Sequence, residues 1–132
     1  MKEVFTNANH LTCIFTDKGI LFSGAKQEAY YPYGCVDSLK MSLLGILQVV
    51  HRNQIMTFAV YHQDRSRMKQ MMKDTKSLIE NGGFAEPCIF EKRDLVAEDL
   101  SAEEQLKQYK GLYVQGVISK EEYDVKKVIL SL

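Results

Sequence analysis

The sequence predicts an α+β chain: an antiparallel β-sheet or partial barrel closed by one α-helix, followed by a helical hairpin. Three observations predict it. From residue 11 to 61, short apolar runs alternate with polar residues and are separated by turn signals. After Tyr61 the apolar period changes from two to that of a helix. Near the end, Ser101-x-x-Glu104 and Ser119-x-x-Glu122 mark two helix starts in close succession. The expected organisation is a β-domain with its closing helix over 1–84, an acidic linker over 85–100, and the hairpin over 101–132.

The first strand is read in "LTCIFT", where Leu11, Cys13 and Phe15 alternate with Thr12, Ile14 and Thr16, a half-buried pattern. Asp17-Lys18-Gly19 is a turn, and "ILFS" completes a hairpin. Lys26–Glu28 reads as a loop tip. Tyr30, Tyr31 and Tyr33 surround Pro32, which cannot donate to a ladder and so marks an edge or the start of a strand. "CVDSLKM", "GILQVVH" and "QIMTFAVY" follow as strands, with Asn53-Gln54 as the polar connection of the last pair. Gly45 marks a bulge or a bend. "SLLGILQVV" also fits a short helix, since periodicity does not separate the two in brief apolar runs; its β-branched residues favour strand.

Beyond Tyr61, Met68, Met71, Met72, Thr75, Leu78 and Ile79 share one helical face, with Asp64 available as N-cap. Asn81-Gly82-Gly83 supplies a left-handed stop, across which Phe84 is expected to pack back. Such a methionine stripe is core material more often than a binding groove. The opposite face carries Arg65, Arg67, Lys69, Lys73 and Lys76 against Asp64 and Asp74, and reads first as a solvated face. The segment 85–100 holds Pro87 and five acids, yet Ile89, Phe90, Leu95 and Val96 imply that it packs, in part as a short strand.

In the tail, the first helix runs from the Ser101 cap to about Gln115, and Gly116 ends it in the left-handed conformation. Leu106, Tyr109, Leu112 and Tyr113 line one stripe; Val125, Val128, Ile129 and Leu132 line the other, flanked by Tyr123. Helices this short are marginal alone, and a unit below about 40 residues needs a metal, a disulfide or a partner. The hairpin is therefore expected to dock on the N-terminal domain of its own chain or on another chain, through Leu106, Tyr109, Leu112, Tyr113, Ile118, Tyr123, Val125, Val128, Ile129 and Leu132.

Bulk composition narrows the function classes. Hydrophobic content of 45% and charged content of 26% fit a folded soluble chain rather than a disordered one. The 17 basic and 17 acidic residues cancel, which removes any global attraction to nucleic acid or anionic lipid. Residues 1–85 carry a net +3 and residues 86–132 a net −3. "MKEVFTNANHLTCIF" lacks the apolar core of a secretory leader, and Leu43–Val50 is far short of the ~20 residues a membrane span needs, so a cytoplasmic chain is expected. Cys13, Cys35 and Cys88, with His10, His51 and His62, show no metal or disulfide spacing. No cofactor is implied, and Asp17, Asp37, His51 and His62 are scattered acid–base candidates without a motif.

The run "EEQLKQYKGLYVQGVISKEEYDVKKVIL" resembles the SHOCT family, a short C-terminal helical hairpin of bacterial proteins. The resemblance rests on Leu106, Leu112, Gly116, Ile118, the Ser-Lys-Glu-Glu run at 119–122, Tyr123, Lys126-Lys127 and Leu130. It implies an accessory module for oligomerisation or partner contact, with no catalytic residues. Residues 5–80 are similar to bacterial PH-like domains in strand order and in the closing helix, with "YYPYGCVDSLKM" resembling the tyrosine-bearing start of their third strand. Five strands are fewer than the seven of a PH barrel. Residues 1–8 and 86–91, or another subunit, are available to supply the missing pair.

The expectation is a non-catalytic bacterial binding or assembly protein that forms a homo-oligomer through its hairpin or contacts a protein partner. Two alternatives stand beside it. One is peripheral membrane or lipid-headgroup binding through Lys18, Lys26 and the basic helix face. The other is single-stranded nucleic-acid binding, with Tyr30, Tyr31 and Tyr33 stacking on bases.

Overall fold

The computed structural model describes residues 3–131, and the expected contact residue Leu132 lies outside them. The chain is α+β and divides into two units, Met1–Ile89 and Phe90–Leu132.

In the first unit, β1 (Glu3–Thr6), β2 (Thr12–Phe15), β3 (Gly19–Ser23) and β4 (Gln27–Pro32) form an antiparallel meander. A second antiparallel meander follows: β5 (Ser38–Met41), β6 (Ile46–His51) and β7 (Gln54–Ala59). A single turn of 3-10 helix, His62–Asp64, leads into α1 (Arg65–Glu80). After α1, β8 (Cys88–Glu91) is the outermost strand of the first sheet, beside β4. The two sheets remain separate, so no barrel closes. The five strands counted from the sequence are β2, β3, β5, β6 and β7; Pro32 marks β4 only as an edge or strand start, and β1 and β8 fall within the two segments available to supply a pair.

The core lies where alternate residues of both sheets meet α1. Cys13, Phe15, Ile20, Phe22, Leu47, Val49 and Phe58 are joined there by Met68 and Met71. Phe5 and Phe15 meet edge to face at 5.9 Å, and Phe22 lies 6.0 Å from Tyr31 in the same manner. Such pairs add to the stabilisation from burial alone. The half-burial expected of the run that forms β2 is not what the structure shows: Ile14 and Thr16 are buried as well, and in β3 so is Leu21. For Thr16 the reason is local. Its hydroxyl donates to the Gly19 carbonyl (2.9 Å) and accepts from the Gly19 amide (3.1 Å), closing the β2–β3 turn on itself.

Several boundaries shift for identifiable reasons. Gln27 and Glu28 belong to β4 rather than to a loop tip, because the Gly24 amide bonds the Gln27 carbonyl at 2.9 Å and closes a tight turn. Pro32 ends β4, and Tyr33-Gly34-Cys35 coils into a 3-10 turn, which removes Cys35 from any strand. Ser42–Gly45 is a hairpin loop with Gly45 at φ +79°, and the run after it is strand, not helix. The β6–β7 connection is Arg52-Asn53, one residue earlier than expected, with Arg52 itself left-handed at φ 55°.

At α1, Met68, Met71 and Thr75 are buried and Met72 and Ile79 pack at the core margin, while Leu78 faces solvent. Asp64 does not cap the helix. The preceding 3-10 turn leaves it helical, and its carboxylate accepts from Arg67 at 3.3 Å instead. At the other end Phe84 is 90% exposed and does not fold back. Gly83 supplies the left-handed residue (φ 68°), whereas Gly82 serves a tertiary contact. A Cβ on Gly82 would stand 2.5 Å from the Gly34 amide nitrogen, and one on Gly34 would stand 2.2 Å from the Gly83 carbonyl. Two bare backbones cross there.

In the second unit, α2 (Ala102–Val114) and α3 (Lys120–Leu130) form the hairpin. Ser101 and Ser119 accept hydrogen bonds from the Glu104 and Glu122 amides at 3.2 and 3.1 Å. The return half of the second box is diverted, since Glu122 takes its ion pair from Arg93 at 3.2 Å. Gly116, at φ +79°, ends α2 in a Schellman motif: the Val117 amide bonds the Leu112 carbonyl and the Gly116 amide bonds that of Tyr113. Val96, Tyr109 and Ile118 form the buried centre, with Leu100, Leu112, Tyr123 and Leu130 around it. The segment before α2 is therefore packed as a third wall, and the Gln105 amide group holds it by donating to the Glu98 and Leu100 carbonyls.

Candidate functional site

Of the ten hairpin residues expected to touch a partner, Tyr109, Ile118 and Val125 are buried. Leu106, Leu112, Tyr123, Val128 and Ile129 are half-buried, and Tyr113 is exposed. Tyr113 and Tyr123 bind the helices to each other by stacking at 5.4 Å with planes 9° apart. The Lys127 ammonium lies 5.0 Å from the Tyr123 ring and Lys126 lies 5.4 Å from Tyr109, so cations cover these aromatics.

The apolar surface that stays open gathers at the turn end of the hairpin. Val114 is 76% exposed, and Val117, Tyr113 and Leu95 are exposed beside it. These positions are continuous: the Arg93 guanidinium bonds the Val117 carbonyl at 3.3 Å, and Leu95 shares a crevice of about 320 Å³ with Leu112 and Gln115. Gly111 floors that crevice. Sequence reasoning leaves Val114, Val117 and Leu95 out of the contact surface because none lies on the helical stripes; Val117 or Ile118 reads as closing the turn behind Gly116, and Leu95 as packing. The available signal was the Schellman position of Val117, where an apolar residue is expected to contact the helix behind it.

The first unit carries a different surface. At the tip of the β5–β6 hairpin Leu43 is 101% and Leu44 80% exposed. The tip is held by several bonds: Gly45 amide to Ser42 carbonyl (3.0 Å), Ile46 amide to Ser42 hydroxyl (3.2 Å), and Arg65 guanidinium to Leu44 carbonyl (3.0 Å). Arg65 begins a stripe with Lys69, Lys73 and Lys76, spaced four, four and three residues apart along α1. Glu80 is the acid on that same face, at its far end. Arg67 is turned elsewhere, paired with Glu3 at 2.7 Å and set 3.9 Å over the Phe5 ring.

The acid–base candidates come closer together than their spacing suggests. The Arg52 amide donates to Asp37, the Arg52 guanidinium pairs with Glu86 at 2.9 Å, and His51 Nε2 lies 3.7 Å from the same carboxylate. His51 Nδ1 donates to the Cys35 carbonyl at 2.7 Å, not to its thiol. Burial, with the Glu86 charge adding, pushes the Cys35 thiol up to about 11. A thiol held protonated is a poor nucleophile, so the cluster ties the β6–β7 turn to the 3-10 turn at Tyr33–Cys35. Asp17 and His62 lie in the β2–β3 turn and the 3-10 turn before α1.

Tyr33 is buried and donates its hydroxyl to the Thr16 carbonyl at 2.6 Å; Tyr31 is buried as well. Tyr30, the third tyrosine of the base-stacking reading, is half-buried. Among the described residues, no three of His, Cys, Asp and Glu are placed to hold a metal ion, and no helix is long and apolar enough to cross a membrane. Comparison with protein-family models, with curated proteins and with solved structures found no match to this chain.

Proposed function

We propose that this chain is a non-catalytic assembly protein whose C-terminal hairpin binds a second copy of the chain. The observation that carries the reading is the exposed group Leu95, Tyr113, Val114 and Val117 beside a crevice lined by both apolar and glutamine side chains, in a unit whose own buried centre is small. Exposed apolar surface next to a recess is what a self-complementary interface uses. The hairpin's resemblance to SHOCT modules points the same way. The PH-like reading of the first unit is supported by its order: a four-stranded meander, a three-stranded meander, then α1.

Analytical ultracentrifugation of the full chain tests the proposal. An oligomer is expected, and the pair Val114→Lys and Val117→Glu should reduce it to monomer with unchanged circular dichroism, since neither side chain is buried. A monomer at high concentration, or an oligomer indifferent to both substitutions, refutes it.

A second reading has its own observation, the Leu43-Leu44 tip beside the Arg65, Lys69, Lys73 and Lys76 stripe. Leucine burial contributes about 1.5–3 kcal/mol per side chain, and a cation near an anionic bilayer about 1 kcal/mol. Because the tip is already held by hydrogen bonds, little ordering opposes insertion. Co-sedimentation with phosphatidylserine vesicles, lost in Leu43→Asp and in the absence of anionic lipid, is the expected result; equal binding by the variant removes this reading.

A further inference from the structure

A separate recess lies in the first unit, where the β3–β4 hairpin faces β7 without hydrogen bonding to it. It is a crevice of about 230 Å³ whose wall is formed by Leu11, Phe22, Ala29, Tyr31, Met56 and Ile89, with Gly24, Lys26 and Gln27 at its mouth. The interior is carbon from several directions at once. Phe22 and Tyr31, edge to face at 6.0 Å, make one rigid side. The polar groups are sparse and unengaged: among the described residues the Tyr31 hydroxyl makes no hydrogen bond and Lys26 no ion pair. Burial raises the Tyr31 phenol, which therefore remains a donor.

We propose that this crevice binds a medium-chain anionic amphiphile, its alkyl tail against Phe22, Ala29 and Met56 and its carboxylate or phosphate on Lys26. An apolar recess with a few polar groups at one side is the usual form of a small-molecule site. A volume of 230 Å³ holds about seven water-sized groups, which sets the tail at about six to eight carbons. A strongly polar ligand would lose its hydration to a wall that is mostly carbon and offers few hydrogen bonds. A neutral hydrocarbon would leave the cation at the mouth unused. The site shares no residue with the hairpin surface or with the Leu43-Leu44 tip, so it stands apart from both readings above.

Titrating the full chain with butanoate, hexanoate, octanoate and dodecanoate, each below its micelle concentration and followed by amide shifts, tests the assignment. Affinity should rise about fourfold per added methylene and level off near eight carbons, with shifts confined to the residues that line the crevice, Lys26 among them. Lys26→Gln should weaken octanoate binding about tenfold and leave octanol binding unchanged. Gly24→Leu should block both; the backbone at Gly24 is not left-handed and a Cβ there has its nearest neighbour at 3.4 Å, so the fold has room for it. Met56→Phe fills the same recess from β7 and serves as the second blocking variant. Absence of binding at millimolar octanoate, binding that survives both blocking variants, or affinity that climbs without a plateau overturns the proposal. Excess octanoate should leave vesicle co-sedimentation and oligomer mass unchanged, which separates a soluble ligand from a bilayer and from self-association.

Discussion

In Met1–Ile89 the buried side chains come from strands far apart in sequence, and Phe22, Phe58 and Met68 meet although 46 residues separate the outer two. In Phe90–Leu132 the buried side chains among the described residues are Val96, Tyr109, Ile118 and Val125, and much of what fixes the backbone is local: two serine caps, one Schellman stop and one stacked tyrosine pair. The first unit is thus secured by non-local apolar burial and the second by local hydrogen bonding with a thin core. Burial of a large core is cooperative, whereas a capped hairpin opens locally at low free-energy cost. A unit of the second kind gains most from a partner, which is the physical sense of the assembly proposal.

Substitutions in the two units should separate these modes. Phe22→Ala removes a fully buried ring from the first and should cost about 3–5 kcal/mol, read as the denaturant midpoint of the β-sheet signal. A loss below about 1 kcal/mol would mean that the core does not depend on it. Alkaline pH should act next, and on the same unit. Burial raises the thiols of Cys13 and Cys35 above the ordinary value of 9.0, Cys35 to about 11. The unfolded thiols release protons first, so stability holds below pH 9 and falls as pH climbs toward 11. A melting temperature flat from pH 8 to 11 would contradict this, as would Cys13 or Cys35 reacting with a thiol reagent in the native chain before Cys88.

A smaller effect is expected at Ser119→Ala, which removes the α3 cap and should cost about 1 kcal/mol. Its distinguishing readout is amide exchange: faster in α3, unchanged in β2 and β3. Acceleration throughout the chain would show that the units do not differ as described. Asp64→Ala should change stability by no more than about 0.5 kcal/mol, because Asp64 makes no capping bond to α1. A loss near 1 kcal/mol would restore the cap that the sequence suggests.

The hairpin was legible in detail because each signal acts over a few residues. Ser101, Ser119 and Gly116 meet their partners within five positions, and residue chemistry alone selects those bonds. The β2–β3 hairpin and the β5–β6–β7 meander were legible for the same reason, being joined by short turns, whereas β1 and β4 were not legible as strands. The candidate surfaces were less so. Periodicity marked Tyr109 and Ile118 as apolar contacts without distinguishing burial inside the hairpin from exposure to a partner.

What the sequence determined by itself, then, is the α+β class, the hairpin with its caps and stop, and the methionine face of α1. Only the tertiary structure decided that Gly82 is needed opposite Gly34, that β8 joins the first sheet beside β4, and that Leu43, Leu44 and Phe84 stay in solvent. The division follows from range. A cap or turn is settled by neighbours along the chain, whereas the crossing of two backbones, or the covering of one apolar side chain and not another, depends on segments that folding brings together from far apart.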